Sequence, residues 1–139
     1  MPDCIFCKIV EGSIPSAKVF ESESVLAFLD ISPASKGHTL VVPKKHYENF
    51  SAVPEKELKE LMGAVQKISK AVVSATGKES FNIHVSNGRP AGQVIFHLHI
   101  HIIPRSENDS VGLVWSHTEY GENEAGELAR KIGQKMGQG

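Results

Sequence analysis

Residues 94–103 read VIFHLHIHII, and within them Leu98, Ile100 and Ile102 alternate with His97, His99 and His101. Alternation at period two predicts a strand with one apolar face and one face of imidazoles. Other segments carry the same signature more weakly. KVFES and SVLAFLD predict two strands rich in Val, Phe and Leu, and HTLVVPKKH predicts a third that Pro43 stops. SFNIHVS predicts a fourth, with Phe81, Ile83 and Val85 alternating against Asn82, His84 and Ser86. The histidine-rich run is then the fifth strand, ended by Pro104.

Elsewhere the period lengthens to that of a helix. Leu58, Leu61, Met62, Val65, Ile68 and Val72 form one stripe behind Pro54, which suits a first turn, and Gly77 is a natural stop. A short apolar helix is predicted over Ile5 to Val10, closed by Gly12. A last one, Glu122 to Met136, places Ala125, Leu128, Ala129, Ile132 and Met136 on one side, weakened by Gly126 and Gly133. SPASKG and NGRPAGQ are loops dense in breakers, and residues 106–121 are irregular. The sum is an α+β domain: about five antiparallel strands with one long helix and one or two short ones. One domain over residues 1–139 is the simplest division.

Composition narrows the function classes. The chain is 40% hydrophobic and 22% charged, with a formal net charge of −1, so no basic field advertises nucleic-acid binding. An anionic ligand would be held by local groups. No apolar run reaches the roughly 18 residues that span a bilayer, and the start does not read as a signal peptide. The expected location is cytoplasmic. Cys4 and Cys7 then read as a metal pair or as free thiols rather than a disulfide.

Same-face neighbours on a strand stand roughly 6.6 Å apart, so two of the three alternating histidines could share one ion while the third serves another purpose. A lone strand histidine is ordinarily a core or surface residue, and His84 and His117 are read so. Three at alternate positions are different, because each has two ring nitrogens to satisfy in a poorly solvated place.

HLHIHII resembles the signature of the histidine triad (HIT) superfamily of nucleotide hydrolases and transferases. CIFCKIVEGSIPS, AFLDISPASKGHTLVVPKKH and NGRPAGQ agree with its Hint-like bacterial and archaeal branch, in the expected order, over roughly residues 4 to 105. The resemblance implies a HIT-like fold and a homodimer. It also implies one structural zinc ion per chain on Cys4, Cys7, His46 and His97, because many bacterial relatives space these ligands by 39 positions and then 51, as here. A closed set of four ligands has no open position for substrate.

With His97 on zinc, the resemblance makes His99 the nucleophile at the α-phosphorus of a purine nucleotide. His101 would donate to phosphate oxygens, with His38 supporting the histidine network. Asn87, Gly92 and Gln93 of the loop would meet the phosphate, through side-chain donors and backbone N–H groups. Ile5, Phe6, Ile9, Phe28 and Ile31 would enclose the base, with Leu40 a further candidate, and Asp30 would accept from the ribose hydroxyls. Arg89 is read as a solvated loop residue. Core packing is the rival role for Phe6, Phe28 and Ile31. Trp115 would pack across the dimer near the partner's site.

The implied activity is a nucleoside phosphoramidase releasing AMP or GMP, with dinucleoside polyphosphate hydrolysis the runner-up. Relatives that cleave phosphoramidates often carry Ser or Thr after the Gln; here that position is Val94, which has no hydroxyl. Two other classes stand beside these: a hydrolase with a catalytic metal on the triad, and a nucleotide-binding or interaction protein with little turnover.

Overall fold

The computed structural model describes residues 3–137. Five strands, β1 (Lys18–Glu21), β2 (Val25–Leu29), β3 (Thr39–Pro43), β4 (Ser80–His84) and β5 (Ile100–Arg105), form one sheet in the order β1-β2-β3-β5-β4. Every neighbouring pair is antiparallel. Three helices accompany it: α1 (Ile5–Val10), α2 (Glu55–Thr76) and α3 (Glu124–Met136).

The central strands are buried on both faces, and alternation divides their side chains between two cores. Val25, Ala27, Val41, Ile100 and Ile102 face α2, where they meet Leu61, Val65, Ile68 and Val72. Leu26, Phe28, Leu40 and Val42 face the other way and pack on Phe6 and Ile9 of α1. Leu40 pairs with His101 across β3 and β5, so His101 shares the α1 side of the sheet. Leu98, Ile100 and Ile102 therefore anchor this stretch on α2 while its histidines face the smaller helix.

Local chemistry explains the helix ends. Cys4 caps α1, its sulfur accepting from Cys7 N at 3.4 Å. Glu55 and Glu57 lie in the first turn of α2, where the helix dipole favours negative charge. At its other end Gly77 adopts φ +70° and returns its N–H to Val73 O.

Four predicted boundaries shift. The fifth strand starts at Ile100 rather than Val94; its approach bends, with Leu98 N bonded to Tyr47 O at 2.7 Å outside the ladder. Pro104 lies inside β5, opposite Phe81, and the strand ends one residue later. β4 stops at His84, leaving Val85 and Ser86 in the following loop. α3 begins at Glu124, after Asn123 in the left-handed region, and all of its residues are exposed. Among the described residues no helix is long and apolar enough to cross a membrane.

Candidate active site and metal cluster

On the α1 side of the sheet, a cavity of about 380 Å³ opens between α1, β2 and the segment before β5. Its lining includes Ile5, Phe6, Ile9, Phe28, Asp30, Ile31, Leu40, Gly92, Val94, His99 and His101. Most of the predicted nucleotide-site residues thus converge. Their exposures differ sharply: Phe6 and Phe28 are buried, whereas Ile31 is 97% and Val94 82% exposed at the rim. Phe6 meets Phe28 edge-on at 5.7 Å and the His99 ring at 4.9 Å between centroids. It serves core and cavity wall together.

The histidine protons follow from their partners. A carbonyl can only accept, so the 2.8 Å contact of His99 Nδ1 with His97 O places the proton on Nδ1 and leaves the Nε2 lone pair free. Ala34 N donates to His38 Nδ1 at 2.9 Å, so His38 carries its proton on Nε2 and donates it to His101 Nδ1, also at 2.9 Å. His101 in turn carries its proton on Nε2. One backbone amide therefore sets the tautomers of two rings in series. Asp30 Oδ1 accepts from Ser32 N at 2.9 Å, and its Oδ2 lies 3.6 Å from His38 Nε2. Asp30, His38 and His101 are close enough to gather round a cation, but the 2.9 Å contact between the two rings is already accounted for by a hydrogen bond.

Burial disfavours the charged form of each ring. His38, His97 and His99 are all lowered from the usual histidine range chiefly by desolvation. His101 is pushed down to about 4, first by burial and then by the neighbouring His99, His38 and His84. Neutral imidazole, the nucleophilic form, is what this environment selects.

Beside the cavity, Cys4, Cys7, His46 and His97 present ligand atoms all within 4.8 Å of one another. Cys4 Sγ lies 3.3 Å and Cys7 Sγ 3.5 Å from His97 Nδ1, and Cys7 Sγ lies 3.4 Å from His46 Nδ1. The two Nδ1 atoms are 3.2 Å apart. His97 Nε2 donates to Pro43 O at 2.8 Å, so its Nδ1 carries a lone pair toward the sulfurs. Two soft sulfurs and two imidazole nitrogens around one point make a donor set fit for a metal ion.

The loop before β5 departs from expectation. Gln93 is buried, its Oε1 accepting from Gly88 N at 2.9 Å and its Nε2 donating to Glu48 O and Ile95 O. Asn87 lies outside the cavity lining, with Oδ1 accepting from Phe50 N at 2.8 Å. Backbone amides of Ala91 and Gln93 bond to Gly88 O, and that of Gly92 to Arg89 O. The Gly92 N–H and the Gln93 donors, expected to face phosphate, instead brace a turn that folds back on itself with Gly88 and Gly92 at φ of +90° and +98°, whereas the Asn87 bond uses only its acceptor oxygen. Arg89 stacks over Phe96 at 5.5 Å.

Sequence reasoning passed over His84. The register places it directly opposite His101, ring centroids 5.6 Å apart, on the cavity face. Its alternation with Ile83 carried the signal, but a strand's partner is a non-local fact.

The HIT domain family model matches residues 11–108. The chain belongs to the HIT family. An adenosine 5'-monophosphoramidase of Schizosaccharomyces pombe is 40% identical over 134 residues, covering 96% of this chain and 98% of that protein. The crystal structure of a HIT family member from Bacillus subtilis superposes with a TM-score of 0.89 at 44% identity, covering 95% of this chain and 96% of its own. A Zn-bound histidine triad family protein from Mycobacterium smegmatis is 30% identical, with a TM-score of 0.76 over 99% of this HIT chain and 97% of that one. HIT membership and the five-stranded fold agree with the resemblance drawn from HLHIHII.

Proposed function

We propose that this HIT protein is a nucleotide hydrolase acting at the α-phosphorus of purine nucleotides through a nucleotidyl-histidine intermediate, most simply a phosphoramidase releasing AMP or GMP. The observation that carries this reading is His99, whose Nδ1–H is held by His97 O while Nε2 keeps its lone pair in a cavity with an apolar slot. The S. pombe relative bears a name of that activity.

In the proposed reaction Nε2 of His99 bonds to phosphorus as the bond to the leaving nitrogen breaks. The departing amine takes a proton from solvent. His99 gains positive charge, which the Nδ1–H bond to His97 O stabilises. His101 offers its Nε2–H to the phosphoryl oxygens, held in that tautomer by His38. Water then attacks phosphorus, the P–Nε2 pair returns to the ring, one water proton passes to solvent and the monophosphate leaves. Phe6, Phe28 and Ile9 sandwich the base, and Asp30 accepts from the ribose. Denaturing mass spectrometry after brief mixing with an AMP–amine adduct tests the scheme: wild type carries a nucleotide mass and His99→Ala does not. Turnover surviving in His99→Ala sinks it.

A second reading, dinucleoside polyphosphate hydrolysis, is favoured by Val94, which brings no hydroxyl to the rim where an amine leaving group would be met.

Zinc is the ion proposed for the Cys/His cluster. Tetrahedral zinc, with bonds of about 2.3 Å to sulfur and about 2.0–2.1 Å to nitrogen, sets N···N edges of about 3.3 Å and S···N edges of about 3.6 Å. The cluster's 3.2 Å and 3.3–3.5 Å edges are close to these. With all four positions taken by protein, the ion would clip α1 to the segment before β5 and take no part in bond breaking. A reducing, cytoplasmic location keeps both thiols available to it.

A homodimer is proposed from the two sheet edges. β1 is guarded by a bulge and by Lys18 and Glu21, whereas β4 carries no charge and leaves Phe81 40% and Ile83 45% exposed. By resemblance to the family, the exposed Trp115 would pack near the partner's site.

A further inference from the structure

Along the cavity face the rings stand in a row. Phe6 and His99 are 4.9 Å apart, His99 and His101 5.1 Å, and His101 and His84 5.6 Å. The apolar slot is at the Phe6 end and His84 at the other. Two residues past His84, Ser86 Oγ lies 3.0 Å from His84 Nε2. The same hydroxyl is 3.7 Å from the point where a side chain on Gly92 would begin, and Gly92 lines the cavity. His84 and Ser86 therefore sit just beyond the reacting histidines, on the side away from the nucleoside slot.

Their chemistry differs from that of the neighbouring loop. Amides of Gly88, Ala91, Gly92 and Gln93, and the side chain of Gln93, are bonded within the protein. The His84–Ser86 bond consumes one proton of the pair. If the hydroxyl donates, a ring N–H remains; if the ring donates, the hydroxyl proton remains. Either way one neutral donor is left, and Ser86 is only partly buried.

We propose that His84 and Ser86 form a polar subsite for the phosphate that follows the α-phosphorus in phosphate-linked nucleotides, a subsite that neutral amine adducts leave empty. This rests on the reading that the slot holds the nucleoside and His99 meets the α-phosphorus. A terminal or bridging phosphate oxygen is an anionic acceptor, and a donor aimed at it makes a charge-assisted bond stronger than a neutral one. An alkylamine has no such oxygen.

Calorimetric affinities of AMP and α,β-methylene-ADP test the subsite without relying on turnover, using the full chain in its metal-loaded form. Wild type should bind the diphosphate analogue about tenfold more tightly than AMP. In the double variant His84→Ala/Ser86→Ala that advantage should vanish while AMP affinity holds within twofold. Ser86→Thr, which keeps the hydroxyl, should retain it. An advantage that persists in the double variant, or that is missing from wild type although AMP binds, overturns the subsite alone. AMP that fails to bind wild type overturns the nucleotide reading as well.

Discussion

Phe6→Ala is the most informative single perturbation, because Phe6 belongs to the core and to the cavity at once. Its side chain is 4% exposed and packs on Leu26, Phe28, Leu40 and Val42. Truncating a buried Phe costs about 3–5 kcal/mol, set by how far the surroundings collapse. α1 is six residues long and lies at the edge of the core, so it can settle inward, which points to the low end, about 3 kcal/mol. Unfolding entropy of about 2.1 cal/mol/K per residue gives roughly 0.3 kcal/mol/K for a chain of 139 residues. The melting temperature should therefore fall by about 10 °C. Phe6→Leu keeps most of the volume and should cost about 1 kcal/mol, or 3–4 °C. Activity should fall further than stability requires, since the ring 4.9 Å from His99 also limits how that imidazole can turn. A loss on the order of tenfold to a hundredfold in kcat is expected at a temperature where the variant is fully folded. Thermal unfolding of metal-loaded protein by circular dichroism, paired with turnover of an AMP–amine adduct, reads both. A fall of less than about 3 °C for Phe6→Ala would refute the packing argument, whatever happens to the rate.

Three further perturbations have clear expected outcomes. His101 titrates at about 4 when folded against 6.5 for an ordinary histidine, so between these values the unfolded chain holds the extra proton. Stability should then rise with pH across that window, reinforced by the lowered His38 and His99, and a melting temperature equal at pH 4.5 and 7.5 would contradict it. Metal analysis should find about one zinc per chain, and Cys7→Ser should lower both that content and the melting temperature; a metal-free wild type of unchanged stability would remove the clip. Gly37→Ala should destabilise by more than about 1 kcal/mol, because φ is +99° and the new Cβ would stand 2.5 Å from Thr76 Cγ2; wild-type denaturant stability would show that α2 yields there.

Much of this molecule is legible in its sequence because the informative patterns are local. Alternation in HLHIHII separates the residues that pack on α2 from those that face α1, and the Leu61–Val65–Ile68–Val72 stripe names the covering helix. What the sequence hides is non-local or internally satisfied. His84 reads as a stray strand histidine until pairing sets it opposite His101. Gln93 looks like a free donor, yet its Nε2 reaches Glu48 O, and Asn87 is turned by an acceptor bond from Phe50 N to its Oδ1. The start of β5 is missed because alternation continues through Leu98 after ladder bonding has stopped. Ile31 and Val94 are apolar yet stand 97% and 82% exposed at the cavity rim, an exposure that residue type alone does not reveal.

The two-sided burial of β5 also limits how this chain can change in length. Ile100 and Ile102 lie against α2 while His101 faces the opposite way. Inserting or deleting one residue between His97 and Ile102 would exchange the two sets, driving imidazoles into the helix core and aliphatic side chains into the cavity. Length variation in this stretch is tolerable only in steps of two, and even then it would separate His97 from Cys4, Cys7 and His46. Spacing here is as constrained as residue identity. A library that randomises insertions along the chain should therefore recover almost none between His97 and Ile102, while accepting them in the exposed segment between His117 and Asn123.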